Sequence, residues 1–179
     1  MKNFVLFTAL RMIGVPRWMT RLVMLLVLAS SFSHLWAGTL TGRVVGVSDG
    51  DTITVLDGAR QQHRIRLQGI DAPESKQAFG NVSKRGLSDL VFGQTVEVRY
   101  DKEDRYGRIL GVVFAGGQDV NLAMVSRGLA WHYKFYQRDQ APLDRQRYAL
   151  AEDQARQAGI GLWRDPQPTP PWDFRRQGD

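Results

Sequence analysis

The stretch from residue 39 to residue 70 constrains this chain most. It reads TLTGRVVGVS, then DTITVLD, then HRIRLQGI, three short runs rich in β-branched residues, with Asp49-Gly50 dividing the first two. An Asp-Gly pair between such runs signals a hairpin whose central residues take positive φ. In the third run Arg64, Arg66 and Gln68 alternate with Ile65 and Leu67. Period two puts the polar side chains on one face of a strand and the aliphatic ones on the other. The aliphatic face has to be covered by further structure.

Two more strands are legible. QTVEVRY (94–100) repeats the alternation, and RILGVVFAGG (108–117) is a more apolar strand ending in a glycine turn. Three helical stretches accompany them. Residues 75–92 place Phe79, Val82, Leu87, Leu90 and Val91 at helical spacings, against the tendency of Gly80 and Gly86. VNLAMVSRGLA (120–130) is a short helix with Gly128 as its C′ residue. APLDRQRYALAEDQARQAG (141–159) has Pro142 in the first turn and Gly159 past the end, with Leu143, Leu150, Ala151 and Ala155 as its apolar side. The last stretch, 166–179, carries four prolines between Pro166 and Pro171 and is expected to wrap or trail rather than pack as an element. Five short strands with helices between and after them predict a mainly β, α+β fold: a five-stranded barrel of the OB type with about three α-helices, spanning 38–165.

Residues 1–37 are of a different kind. They hold Lys2, Arg11, Arg17 and Arg21, no acid, and the apolar run LVMLLVLASSF from Leu22 to Phe32, followed by Leu35-Trp36-Ala37. A basic region, a short apolar core and a small final residue describe a secretory signal peptide cleaved after Ala37; an uncleaved N-terminal anchor is the alternative. The expected location is therefore outside the cytoplasm, periplasmic or secreted, with membrane contact only if this segment is retained. Without those residues the chain has 20 Lys and Arg against 18 acids, only mildly basic. The absence of cysteine excludes disulfides, thiolate catalysis and sulfur-ligated zinc, and His34, His63 and His132 are too scattered for an imidazole site.

Three stretches carry candidate chemistry. Gly46 to Gly50 satisfies G-x-S-x-G, but that motif requires a helix after the serine, and here a β-branched run follows. A calcium-binding helix–loop–helix begun at Asp49 fails as well, with Thr54 at the glycine position and Arg60 at the glutamate position. The turn explains Asp49-Gly50 and leaves Asp51 as an acid at a strand start. RIRLQGIDAPES then ends a strand in Asp71, Ala72, Pro73 and Glu74, where a polar turn capping the next helix is the simpler account. DKEDRYGRILG places Arg108 after a Tyr106-Gly107 turn, which by itself is a charged hairpin tip.

Together, DGDT, RIRLQGIDAPE, RYGR, NLAMVSRGLAWHY and AGIGLW, in this order over residues 40–165, resemble the staphylococcal nuclease (thermonuclease) family, calcium-dependent phosphodiesterases on an OB barrel. The resemblance implies that Asp51, Asp71 and the backbone carbonyl of Ala72 hold one Ca²⁺, that Glu74 orients or deprotonates the attacking water, and that Arg66 and Arg108 contact the scissile phosphate. It implies hydrolysis of DNA and RNA to products with 3′-phosphate ends, with single-stranded regions preferred, by a monomer needing no stable protein partner. Tyr106, Tyr133 and Tyr136 are candidates for the nucleotide pocket, packing against the barrel being the alternative; Trp131 and Trp163 are assigned to the core. The residue chemistry agrees. Calcium accepts six to eight oxygens in irregular geometry, and guanidinium forks match phosphate oxygens. One departure is the segment after Glu74, which lacks the family prototype's lysine-rich loop. The rival reading is a non-catalytic OB module binding nucleic acid or protein. Such modules lose the acids and arginines, and all five side chains persist here.

Overall fold

The computed structural model describes residues 38–177. The expected export segment, residues 1–37, lies outside them. Strands β1 (Gly38–Val47), β2 (Thr52–Asp57), β3 (Gln62–Leu67), β5 (Thr95–Glu103) and β6 (Ile109–Ala115) form the sheet, and the two-residue strands β4 (Ile70–Asp71), β7 (Gln118–Asp119) and β8 (Trp131–His132) are accessory. The order β3-β2-β1-β5-β6-β7 is antiparallel at each step, and β3 also pairs with β6 in parallel, closing five strands into an OB-like barrel. The parallel seam matches Ile65 with Ile109, Arg66 with Leu110 and Leu67 with Gly111.

Alternation fills the barrel. Ile53, Val55, Ile65, Leu67, Val96, Val98 and Val113 are each at most 1% exposed. Burying side chains of this size stabilises the fold by about 1.5–3 kcal/mol apiece relative to leaving them in water. Arg64 and Arg66 lie on the strand face opposite Ile65 and Leu67, with Arg64 exposed and Arg66 half-buried. Asn121 is buried beside the seam: its side-chain carbonyl accepts from the Val113 N–H, and its amide donates to the Gln68 and Gly111 carbonyls.

The turn after β1 is not the one expected. Neither Asp49 nor Gly50 has positive φ, and the connection is closed by the Ser48 N–H donating to the Thr52 carbonyl. Glycine is required at 50 for close packing instead, since a Cβ there would lie 1.9 Å from Ser83 Oγ and 2.7 Å from Ala72 Cβ. The turn is pressed into the helix behind it.

Helices α1 (Gly80–Val91), α2 (Val120–Ser126) and α3 (Pro142–Gln157) cover the barrel, with 3₁₀ segments at Lys134–Asp139, kinked at Tyr136, and at Gly161–Arg164. Helix α1 starts five residues later than the spacing predicts, because residues 75–79 turn around Gln77 before the chain becomes helical. It then buries Ser83, Leu87 and Val91, one stripe at four-residue intervals. Asp119 caps α2 by accepting from the Leu122 N–H. Helix α3 buries Ala151 and Ala155 as expected but not the two leucines. Leu143 and Leu150 are 66% and 59% exposed, while Tyr148, Ala151, Glu152 and Ala155 are buried. Polar anchors set that rotation: the Tyr148 hydroxyl donates to Asp119, and Glu152 accepts from the His132 N–H and from Lys134.

His132 is 1% exposed, and its Nε2 lies 2.9 Å from the Gln140 side-chain oxygen; Nδ1 has no partner among the described residues. Burial lowers its pKa below the usual 6.5. The unfolded chain therefore binds the extra proton more readily. The stabilisation is full above 6.5 and is lost as pH falls below it. We expect His132→Gln to flatten the decline in stability between about pH 7 and pH 5, measured by urea unfolding; an unaltered slope would assign the decline to other groups.

The proline-rich end also departs from expectation. It leads into a fourth helix, α4 (Pro171–Gln177), with Pro171 buried. Trp172 stands edge-on to Trp131 at 5.5 Å and lies 5.4 Å from the Tyr133 ring. Trp131 and Trp163 are core residues, 4.4 Å apart.

Candidate active site

Asp51 and Asp71 come from different parts of the chain and meet at one end of the barrel. Asp51 leads into β2; its Oδ2 accepts from the Ala72 N–H at 2.7 Å. Asp71 sits on β4, held by pairing with β8 opposite Trp131. Both are essentially buried, at 1% and 0% exposure. Isolated buried carboxylates cost several kcal/mol each, so the site needs cations. Arg66 supplies one: a guanidinium nitrogen pairs with Asp51 and another lies 2.6 Å from Asp71. Burial pushes the Asp51 carboxyl up to about 8, with Arg66 pulling against it. Burial also opposes the Arg66 charge, but Asp51 and Asp71 more than restore it.

Glu74 stands at the rim of this pair with its side chain 36% exposed. Its backbone is pinned: the N–H donates to the Gln77 side chain, the carbonyl accepts from the Gln77 N–H, and Gly80 packs so closely that a Cβ would fall 2.0 Å from that carbonyl. A second guanidinium reaches the acids from α4. Arg175 donates to both oxygens of Asp71, at 3.2 and 2.8 Å, and to Glu74 at 2.6 Å. Its hydrogen bond to Asp71 is the first cause of its raised pKa.

Thus Asp51, Arg66, Asp71, Ala72 and Glu74 are brought together. Arg108 is held otherwise: its guanidinium pairs with Asp104 at 2.7 Å, and Asp104 also accepts from the Tyr106 and Arg108 N–H groups. Tyr106 is 68% exposed, with the Arg105 and Arg108 guanidinium carbons 4.9 and 5.5 Å from its ring centre. Tyr133 lies close enough to Asp71 that burial, and then that carboxylate, raise its pKa. It forms an aromatic cluster with Phe135 and Tyr136, which are 77% and 56% exposed. Phe135, Trp172 and Arg175 were not singled out by sequence reasoning. An aromatic at every position but one in WHYKFY was the available signal for Phe135; Arg175 had none.

The donor set is all oxygen, which fits a hard cation such as Ca²⁺. Among the described residues no group of three or more His, Cys, Asp or Glu forms a ready cage. An ion bound by Asp51 and Asp71 would need backbone carbonyl, water and substrate oxygens to complete its shell, which calcium accepts.

Residues 64–165 match the family model for staphylococcal nuclease homologues. The chain belongs to the staphylococcal nuclease family. Its relatives in this family include a micrococcal nuclease of Shigella flexneri, 47% identical over 150 residues, covering 79% of this chain and 83% of the relative. Proteins named uncharacterized endonuclease are similar at comparable levels. One from Haemophilus influenzae is 47% identical, covering 76% of this chain and 74% of the relative. Another, from Escherichia coli, is 48% identical, covering 76% and 85%. The staphylococcal nuclease match begins at Arg64, inside β3, and spans every site residue expected from the sequence except Asp51; Trp172 and Arg175 lie beyond its end.

Proposed function

We propose that this member of the staphylococcal nuclease family is an exported, Ca²⁺-dependent phosphodiesterase that hydrolyses DNA and RNA, preferring single-stranded regions and leaving 3′-phosphate ends. The observation that carries this reading is the pair of buried carboxylates, Asp51 and Asp71, gathered beside a half-exposed Glu74 and the Arg66 fork. A module that only bound nucleic acid would gain nothing from burying two acids beside a phosphate.

Asp51, Asp71 and the Ala72 carbonyl would hold Ca²⁺, whose chemistry when bound is Lewis-acid stabilisation of charge on phosphate oxygens. Arg66 is the guanidinium already inside the site, so a phosphate entering beside the acids meets it. Arg108, whose fork is oriented by Asp104, would contact the phosphate from the entry of β6. Two guanidinium groups favour the five-coordinate phosphorus over the ground state because the former carries more negative charge. Glu74 orients or deprotonates the attacking water; the water oxygen bonds to phosphorus, the bond to the 5′ oxygen breaks, and that oxygen takes a proton from solvent. Tyr106, Tyr133 and Tyr136 offer ring faces on which any base can stack, a sequence-tolerant mode.

The test is incubation of the full chain with single-stranded DNA, in Ca²⁺ and in chelator. Cleavage in Ca²⁺ alone, giving ends that a polymerase extends only after phosphatase treatment, is expected. DNA bound but uncut in both conditions would replace the enzyme with a binding module.

A further inference from the structure

We propose that helix α4 is an autoinhibitory latch, with Arg175 standing in for the divalent cation at Asp71 and Glu74. This rests on the cation-binding reading of the site. The guanidinium engages both Asp71 oxygens and one of Glu74. Those are lone pairs that a metal ion and an attacking water would need, and the fixed positive charge beside them repels a second cation. Closing the latch and loading the ion are therefore antagonistic.

The contact is built by the fold and is not a chance approach of a surface arginine. Residues 104 and 101 positions apart in sequence are joined. The joining depends on an anchor placed one turn earlier, where Pro171 is buried and Trp172 packs against Trp131 and Tyr133. The approach to the helix is fastened too, by the Gln77 side-chain amide donating to the Thr169 carbonyl. Gln77 is the residue that also pins Glu74. The tail thus grips the same loop that presents the proposed water-activating acid. Arg175 itself is 42% exposed, so its ion pairs exchange readily with solvent and the latch can open. Its neighbour Arg176 is 75% exposed and pairs with Asp173, away from the acids.

A latch closed nine-tenths of the time raises the apparent dissociation constant of the ion about tenfold. Reciprocity requires the ion to loosen the latch by the same factor. Calcium titration calorimetry on the full chain and on Arg175→Ala, with Arg176→Ala as control, reads the first effect. Amide hydrogen exchange of residues 172–177 with and without Ca²⁺ reads the second. We expect Arg175→Ala to bind Ca²⁺ roughly tenfold more tightly, the control to match the wild type, and exchange in α4 of the wild type to rise with Ca²⁺. Equal or weaker binding by Arg175→Ala, with α4 exchange unmoved, would overturn the latch and leave the cation site standing. No Ca²⁺ binding by any of the three proteins would sink both.

Discussion

Replacing Glu74 by glutamine is expected to lower turnover by roughly 10²–10⁴-fold, the usual contribution of a positioned general base. Glutamine keeps the shape and can still hold a water by hydrogen bonding, but it cannot take a proton. The backbone at this position is fixed by Gln77 and by the close approach of Gly80, and none of those contacts involves the carboxylate. The side chain is partly exposed and, among the described residues, its one ion pair is with Arg175, so the cost to folding should stay within about 1 kcal/mol. Single-turnover cleavage at saturating Ca²⁺, alongside a thermal melt, separates rate from stability. A folded variant with undiminished rate would remove Glu74 from the chemistry. A fall of only a few-fold would assign it to orienting the water.

Above the Asp51 pKa of about 8, Arg66→Met should cost about 3–5 kcal/mol of stability in chelator, because it then leaves a buried carboxylate without its counter-charge. The loss falls mainly on Asp51. Asp71 retains Arg175, whereas Asp51 is left with the Ala72 N–H and the Thr52 hydroxyl. Two further measurements make the cause visible. Adding Ca²⁺ should return part of the stability, since an ion that binds only the folded state stabilises it by mass action. Asp51→Asn in the Arg66→Met background should recover stability as well, by removing the charge that was stranded. Urea unfolding of the wild type, Arg66→Met and the double variant reads all of this. A loss below about 1 kcal/mol for Arg66→Met would mean that the acids are not held by this guanidinium.

How much of this was legible in the sequence varies with the range of the interaction concerned. The alternation of Arg64, Ile65, Arg66 and Leu67 is enforced by strand geometry alone, and the five barrel strands appear where the β-branched runs stand. The Asp49-Gly50 turn was legible in position and not in geometry, because the need for glycine comes from Ser83 and Ala72, which lie elsewhere in the chain. Helix α3 was legible from its terminal signals, but its inward face was set by Tyr148 and Glu152, whose polar partners no apolar periodicity can report. The proline-rich end hid α4 because prolines that oppose a helix interior are welcome at its first turn. Of the site, the acids and Arg66 lie in motifs that could be read in order. Arg175 occurs in no motif, and its place beside Asp71 is a property of the folded chain only.

The parallel seam between β3 and β6 has a consequence for when such a site comes into being. Asp51 and Arg66 belong to the hairpins on one side of it, and Arg108 to the hairpin on the other. Asn121 stitches across from behind, tying the carbonyls of Gln68 and Gly111. Strands separated by some forty residues must find each other in register before the two arginines share a surface, and loop entropy opposes that step more than it opposes any neighbouring hairpin. A chain with every hairpin formed and the cylinder still open would already bring Asp51 to Arg66, because Thr52 lies opposite Arg66 in the β2–β3 hairpin, but would leave Arg108 apart from them. A machinery for cutting nucleic acid divided in this way stays silent in the half-finished molecule, and gains its reactivity only when the barrel is whole.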